Sequence, residues 1–351
     1  MEGKKHYNPT FSIMKGIAII SVVVGHAVSN EMKGVELFVN QYHLAVFFFV
    51  AGYFIQNHIW KKIKSLYFPF VVAGMICILL HNVFVGMHII DGEITISDML
   101  KDSVTLLVGF VSKEQMMGAM WFCPALMISS IVFISFNMLI GKSRPIWQKV
   151  LVLCCPVVIG TICLHVLHLK SPYCIWQNMI VCGVMLEGWL FRKLTDTWTI
   201  SRKYVCIMFG VSLALLLLFF YNGHYANLQA NGINQENVIV VLFVALCGCL
   251  CVYGGGRIIG EIFKNRWVAN AFQLAGEHSF SIMLLHFLCF KVVSLVMCGV
   301  YQMPIDNISQ FPVIQYSNMM WFVAYVVIGS YLPVGLAIVY NRMKTMIWSG
   351  L

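Results

Sequence analysis

Ten times between Phe11 and Tyr340 the chain runs for about 20 residues with few charged side chains, enough helix to cross a ~30 Å hydrocarbon layer. The runs fall at residues 11–29, 36–56, 65–85, 119–140, 150–168, 173–191, 204–221, 237–256, 278–300 and 318–340. Backbone in lipid must satisfy its own hydrogen bonds, so apolar runs of this length fold as helices. The spacing predicts an all-α polytopic integral membrane protein of about ten transmembrane helices. Composition excludes a soluble α/β enzyme: 60% of the 351 residues are hydrophobic and 11% charged, with a mean hydropathy of +0.82. A soluble domain carries roughly 25% charged residues to cover its surface. No repeat or low-complexity linker divides the chain, so residues 1–351 read as one domain.

Lys and Arg concentrate on the cytoplasmic side of a membrane protein. Alternating the loops from a cytoplasmic N-terminus places 17 Lys and Arg inside, from Lys4 and Lys5 through Lys142 to Lys344, against Lys33, Lys101, Lys113 and Lys170 outside. The outer loops carry most of the acids, including Glu31, Asp98, Glu114, Glu236 and Asp306. Ten crossings then put both termini in the cytoplasm. The net charge of +9 is spread over every inner loop rather than gathered into an aromatic-studded patch, which argues against nucleic acid. The longest outer loop, "DGEITISDMLKDSVTLLVGFVSKEQ", holds a short amphipathic helix. The 13 cysteines sit mainly in apolar runs with neither a CxxC pair nor a zinc spacing, and read as small buried hydrophobes. "MEGKKHYNP" is basic, but no small-residue cleavage site follows the first apolar run, so no cleavable leader is expected.

Ionisable residues inside these spans cost roughly 2.5–3.5 kcal/mol each at the bilayer centre by insertion scales, so they mark function by default. The first span, "FSIMKGIAIISVVVGHAVS", holds Lys15 and His26. At 100° per residue the eleven steps between them leave about 20°, and the rise is roughly 16 Å, so both share one helix face. Taken singly, Lys15 is explained by snorkelling and His26 by a hydrogen bond within the bundle; their common face favours a polar interior. His43, in the second span, lies near the depth of His26, and His286 of the ninth lies near the midplane. Glu187 sits late in the sixth span. His165 and His168 stand at an outer helix end without a third metal ligand in view. Histidine titrates near neutrality and suits either a proton-coupled transporter or a transferase with a general base. Absence of paired, broken half-repeats counts mildly against transport. Lys61, Lys62 and Lys64 in "KKIKSLYFPF" are either topology signals or a landing site for phosphates. "GGG" at 254–256 lacks the Lys-Ser/Thr of a P-loop and reads as a helix end.

Ordered along the chain, five segments resemble the membrane acyltransferase-3 family, in particular its branch that O-acetylates sugars and polysaccharides. They are "KGIAIISVVVGH", "YHLAVFFFVAGYF", "KKIKSLYFPF", "MWFCPALM" and "GEHSFSIMLLH". The resemblance reaches from residue 11 to about 290. It implies a cytoplasmic acyl-coenzyme A donor, acetyl-CoA in that branch, an acceptor hydroxyl on the far side of a plasma membrane (bacterial by the same resemblance), and no metal. His26 is then the catalytic histidine acting as general base, with Lys15 lining the same cavity. Lys61 and Lys64, with Lys62 between them, take the place of basic residues that contact the donor's phosphates. His43, His286 and Glu187 are candidates to line the substrate cavity. The chain departs from the pattern at Lys15, where Arg is common, at Ser12, often acidic, and at Ala45 and Ala51, which replace Pro and Ser. A flippase for a lipid-linked sugar, with histidines relaying protons, is the alternative.

Overall fold

The computed structural model describes residues 9–141, 144–224, 227, 228, 233, 237–264 and 266–349. Lys4, Lys5, Lys142 and Glu236 of the charge pattern lie outside the described residues, as does most of "MEGKKHYNP". The described chain is helical without a strand. Its helices are α1 (Pro9–Ala27), α2 (Lys33–Asn40), α3 (His43–Tyr53), α4 (Ile59–Gly86), α5 (Ile96–Gly109), α6 (Phe122–Met138) and α7 (Ile146–Thr161), then α8 (Ile175–Thr197), α9 (Arg202–Tyr221), α10 (Val238–Ile262), α11 (Trp267–Glu277), α12 (Ser279–Tyr301) and α13 (Met319–Ser349).

Among the described residues nine helical segments are long and apolar enough to cross a membrane, so the chain is a multi-pass membrane protein. The fourth predicted span is the exception. It forms α6, whose 17 residues reach about 25 Å at 1.5 Å per residue, short of a full crossing. Met116, Met117, Ala119 and Met120 just before it are buried, so the non-helical entry lies within protein rather than in lipid. The second predicted span breaks at Gln41–Tyr42 into α2 and α3, and both residues at the break face the interior.

The bundle sorts by burial. The crossing window of α8 is 72% buried, whereas those of α7 and α9 are 17% buried. On α4 the exposed residues Val72, Ile76, Leu79 and Val83 recur at helical spacing, a stripe for lipid rather than for a partner helix. α1 runs through the interior against α3, α10, α11, α12 and α13. The outer-loop amphipathic helix is α5, which packs on α4. Thr95 and Asp98 form a capping box at its start. Residues 267–277, between the eighth and ninth predicted spans, fold into a further helix, α11, packed along α1.

Candidate functional site

Two glycines explain how α11 comes so close. A Cβ on Gly16 would strike the carbonyl of Phe272, and one on Gly276 would strike the carbonyl of Ser12. Small residues on both faces let two backbones touch, as in small-xxx-small contacts in membranes. Each glycine precedes or follows a charge by one residue, since the sequence reads Lys15-Gly16 on α1 and Gly276-Glu277 on α11. The contact therefore sets Lys15 and Glu277 in one cavity.

That cavity, about 940 Å³, is the larger of two stacked along α1. It gathers the start of α1, the end of α3, the start of α4 and the ends of α8 and α11. Lys15, Lys61, Lys62 and Arg192 line it together with Asp196 and Glu277, a balance of +2. Arg192 donates to the carbonyl of Tyr53 at 3.3 Å and faces Asp196 at 3.7 Å. Lys64 does not join them. It is exposed outside the cavity, because positions 61, 62 and 65 of α4 turn inward and 64 lies on the remaining face. Glu277, in the quoted "GEHSFSIMLLH", lines this cavity with Ser12 and Lys15, and neither it nor Arg192 is singled out by the sequence.

A second cavity of about 170 Å³ lies further along α1. His26, His43, Leu66, Trp121, Phe122 and Ser279 are among its walls, so all five quoted motifs meet there. Ile19 of this cavity follows Lys15 of the other by about one turn, and Leu66 follows Ser65 directly. The two spaces thus occupy successive levels of the same helices.

Around His26 the histidines are fixed by backbone. At the break before α3 the Val39 carbonyl accepts from the Tyr42 backbone N–H at 3.2 Å and, in addition, from His43 Nδ1 at 2.7 Å. His286 Nδ1 donates to the carbonyl of Ile282 at 2.9 Å. A carbonyl can only accept, so in both rings the proton sits on Nδ1 and Nε2 carries the lone pair. His286 Nε2 is buried without a hydrogen-bond partner. The His26 and His286 rings stack with centroids 5.4 Å apart at 22°. Phe287 lies beside both rings, 4.1 Å from His286 and 4.9 Å from His26, within the ~6 Å over which an aromatic ring attracts a cation.

Glu187 reaches neither cavity. Its position shares a helix face with Gly183, which packs on Leu242 of α10, whereas Gly188 and Arg192 share the face turned to α3. The Glu187 carboxylate accordingly neighbours Cys247 and Cys249, and its Oε2 is buried without a partner. His168 is exposed and lies apart from both cavities, and no group of three metal-ligating side chains occurs among the described residues.

A family model described as an acyltransferase domain matches residues 8–338, a stretch that contains both cavities and nearly all of the predicted spans. No curated protein and no solved structure matches the chain.

Proposed function

The chain belongs to the acyltransferase-3 family and is a membrane acyltransferase, and on that premise we propose that it moves an acetyl group from acetyl-coenzyme A to a sugar hydroxyl on the other side of the membrane. The observation that carries this reading is the pair of cavities on one helix. Four cations gather at the Lys15 level and three histidines at the His26 level, roughly 16 Å apart along the axis. A donor with a polyanionic head and a thioester at the end of a long neutral arm fits that division. Lys15, Lys61, Lys62 and Arg192 hold the head; the arm runs along α1; the thioester reaches His26.

His26 then removes the proton from the acceptor hydroxyl as its oxygen bonds to the thioester carbonyl carbon. The carbon–sulfur bond breaks, and the departing thiolate takes the proton back from the imidazolium. Phe287 at 4.9 Å steadies the imidazolium while it exists. His43 and His286, each with Nδ1–H committed to a carbonyl, offer Nε2 only as acceptors and can orient a hydroxyl without competing as donors. General-base catalysis of this kind contributes typically 10²–10⁴-fold. Charge on the inner loops supports a cytoplasmic donor side, which suits an acceptor at the cell envelope.

The test is release of free coenzyme A by purified protein given acetyl-CoA and cell-envelope glycans, with mass spectrometry of the glycans. Wild type is expected to add an acetyl mass and release thiol, and His26→Ala to lose both while eluting as a normal folded species. Full transfer by His26→Ala would remove the histidine from the chemistry. A protein that consumes no thioester but moves a lipid-linked sugar would be a flippase.

A further inference from the structure

Lys291 lies in mid-α12, only 4% exposed, in a part of the chain whose charge neither cavity uses. It does not snorkel. Its ammonium donates to the carbonyls of Ile308, Ser309 and Gln310 at 2.8, 3.2 and 2.8 Å. An ammonium has three protons to give, and all three go to consecutive carbonyls of one segment, residues 302–318 between α12 and α13. Unsatisfied carbonyls are costly at this depth, so cation and segment each depend on the other.

The anchored segment reaches the histidines directly. Phe311, next after the three carbonyls, packs its ring 4.7 Å from that of Phe287, and Phe287 in turn lies 4.1 Å from His286 and 4.9 Å from His26. Further on, the Tyr316 hydroxyl donates to the carbonyl of Ala27, the residue after His26, and Gln315 Oε1 accepts from the Asn30 backbone N–H at 2.9 Å. On its other side the segment walls an open groove of about 500 Å³ together with Ser29, Asn30 and Tyr301.

We propose that Lys291 is a positioning residue, holding residues 302–318 as a cap between His26 and that groove so that an acceptor hydroxyl, and not water, meets the bound thioester. This rests on the donor reading above. When the cap is loose, water takes the acceptor's place: its oxygen bonds to the carbonyl carbon, the carbon–sulfur bond breaks, and free acid and thiol leave. The signature is thiol release uncoupled from transfer, which a simple loss of stability does not produce.

The experiment compares full-length wild type with Lys291→Met and Phe311→Ala, the latter leaving the buried cation and its three bonds in place. First, diethyl pyrocarbonate modification is followed at each histidine by mass spectrometry, using exposed His168 as internal reference; no substrate is needed. His26 and His286 are expected to react about tenfold faster in both variants. Second, the ratio of thiol released to acetyl transferred is measured, and is expected to rise severalfold. Unchanged His26 reactivity in the variants that elute as folded protein overturns the cap. Should Lys291→Met fail to fold, Phe311→Ala decides alone. Faster modification in the variants with no thiol release even from wild type keeps the cap and overturns the donor reading instead.

Discussion

The lysines of "KKIKS" show how one residue of helical phase separates a binding group from a surface charge. Lys61 and Lys62 line the cation cavity with Lys15, whereas Lys64 is exposed outside it. Removing Lys61 or Lys62 is expected to raise the apparent KM for the acyl donor severalfold, with the effect shrinking at high salt as screening grows. Lys64→Ala is expected to stay within twofold of wild type; steady-state kinetics at low and high salt check both. Glu277→Gln tests the acid beside Lys15. The Glu277 carboxylate, exposed to the cavity, offsets a cation that would otherwise repel its neighbours, and its loss is expected to change donor KM more than kcat, since Lys15 beside it stands about 16 Å of helix rise from His26. Equal loss of kcat and kcat/KM would instead put Glu277 in the transition state.

Among the elements, the α1–α11 contact carries the site and is the most easily broken. Gly276→Val drives a side chain into the Ser12 carbonyl, and overpacking of this sort costs typically 1–3 kcal/mol. Its unfolding temperature in detergent is expected to fall, with donor binding weakened because Lys15 and Glu277 move apart. Gly299→Val, where an added side chain meets nothing within 4 Å, is the control and is expected to melt no lower than wild type. α5 answers to pH. Thr95, through its hydroxyl first and its backbone N–H second, holds the Asp98 carboxyl below its ordinary 3.8. The folded state thus favours the ionised form, so the cap contributes fully above about pH 4 and is lost as pH falls through the lowered value. Amide exchange at residues 95–99, corrected for intrinsic rate, is expected to lose protection there in wild type, and at neutral pH in Asp98→Ala.

Across the whole molecule, the loop charges predict that the end of α13 lies on the side of Lys15, with α6 and its buried entry completing a tenth crossing. A reporter that fluoresces only in the cytoplasm, fused after the C-terminus, is expected to be bright, and darkness would invert the inside and outside assigned from the loop charges. The membrane itself needed no tertiary information to infer. Apolar runs of about 20 residues report the free energy of each segment in lipid, which is a local sum over its own side chains, so nine of the predicted spans have a crossing-length counterpart among the described residues, although α13 runs on past the predicted end at 340 to Ser349. The same locality gave Lys15 and His26 one face, since helix phase is fixed by counting. It failed where neighbours decide. The amphipathic pattern of 267–277 is too short to announce α11, and only the Gly16–Gly276 contact brings Glu277 to Lys15. Glu187 and Arg192 are five residues apart on α8, yet face α10 and the cation cavity respectively. Lys291 finds its three carbonyls 17 to 19 residues downstream. The sequence by itself determined the solvent, the helical spans and which polar residues lie at membrane depth. Which of those residues meet was decided by close contacts between distant segments, whose energies exist only once the helices pack.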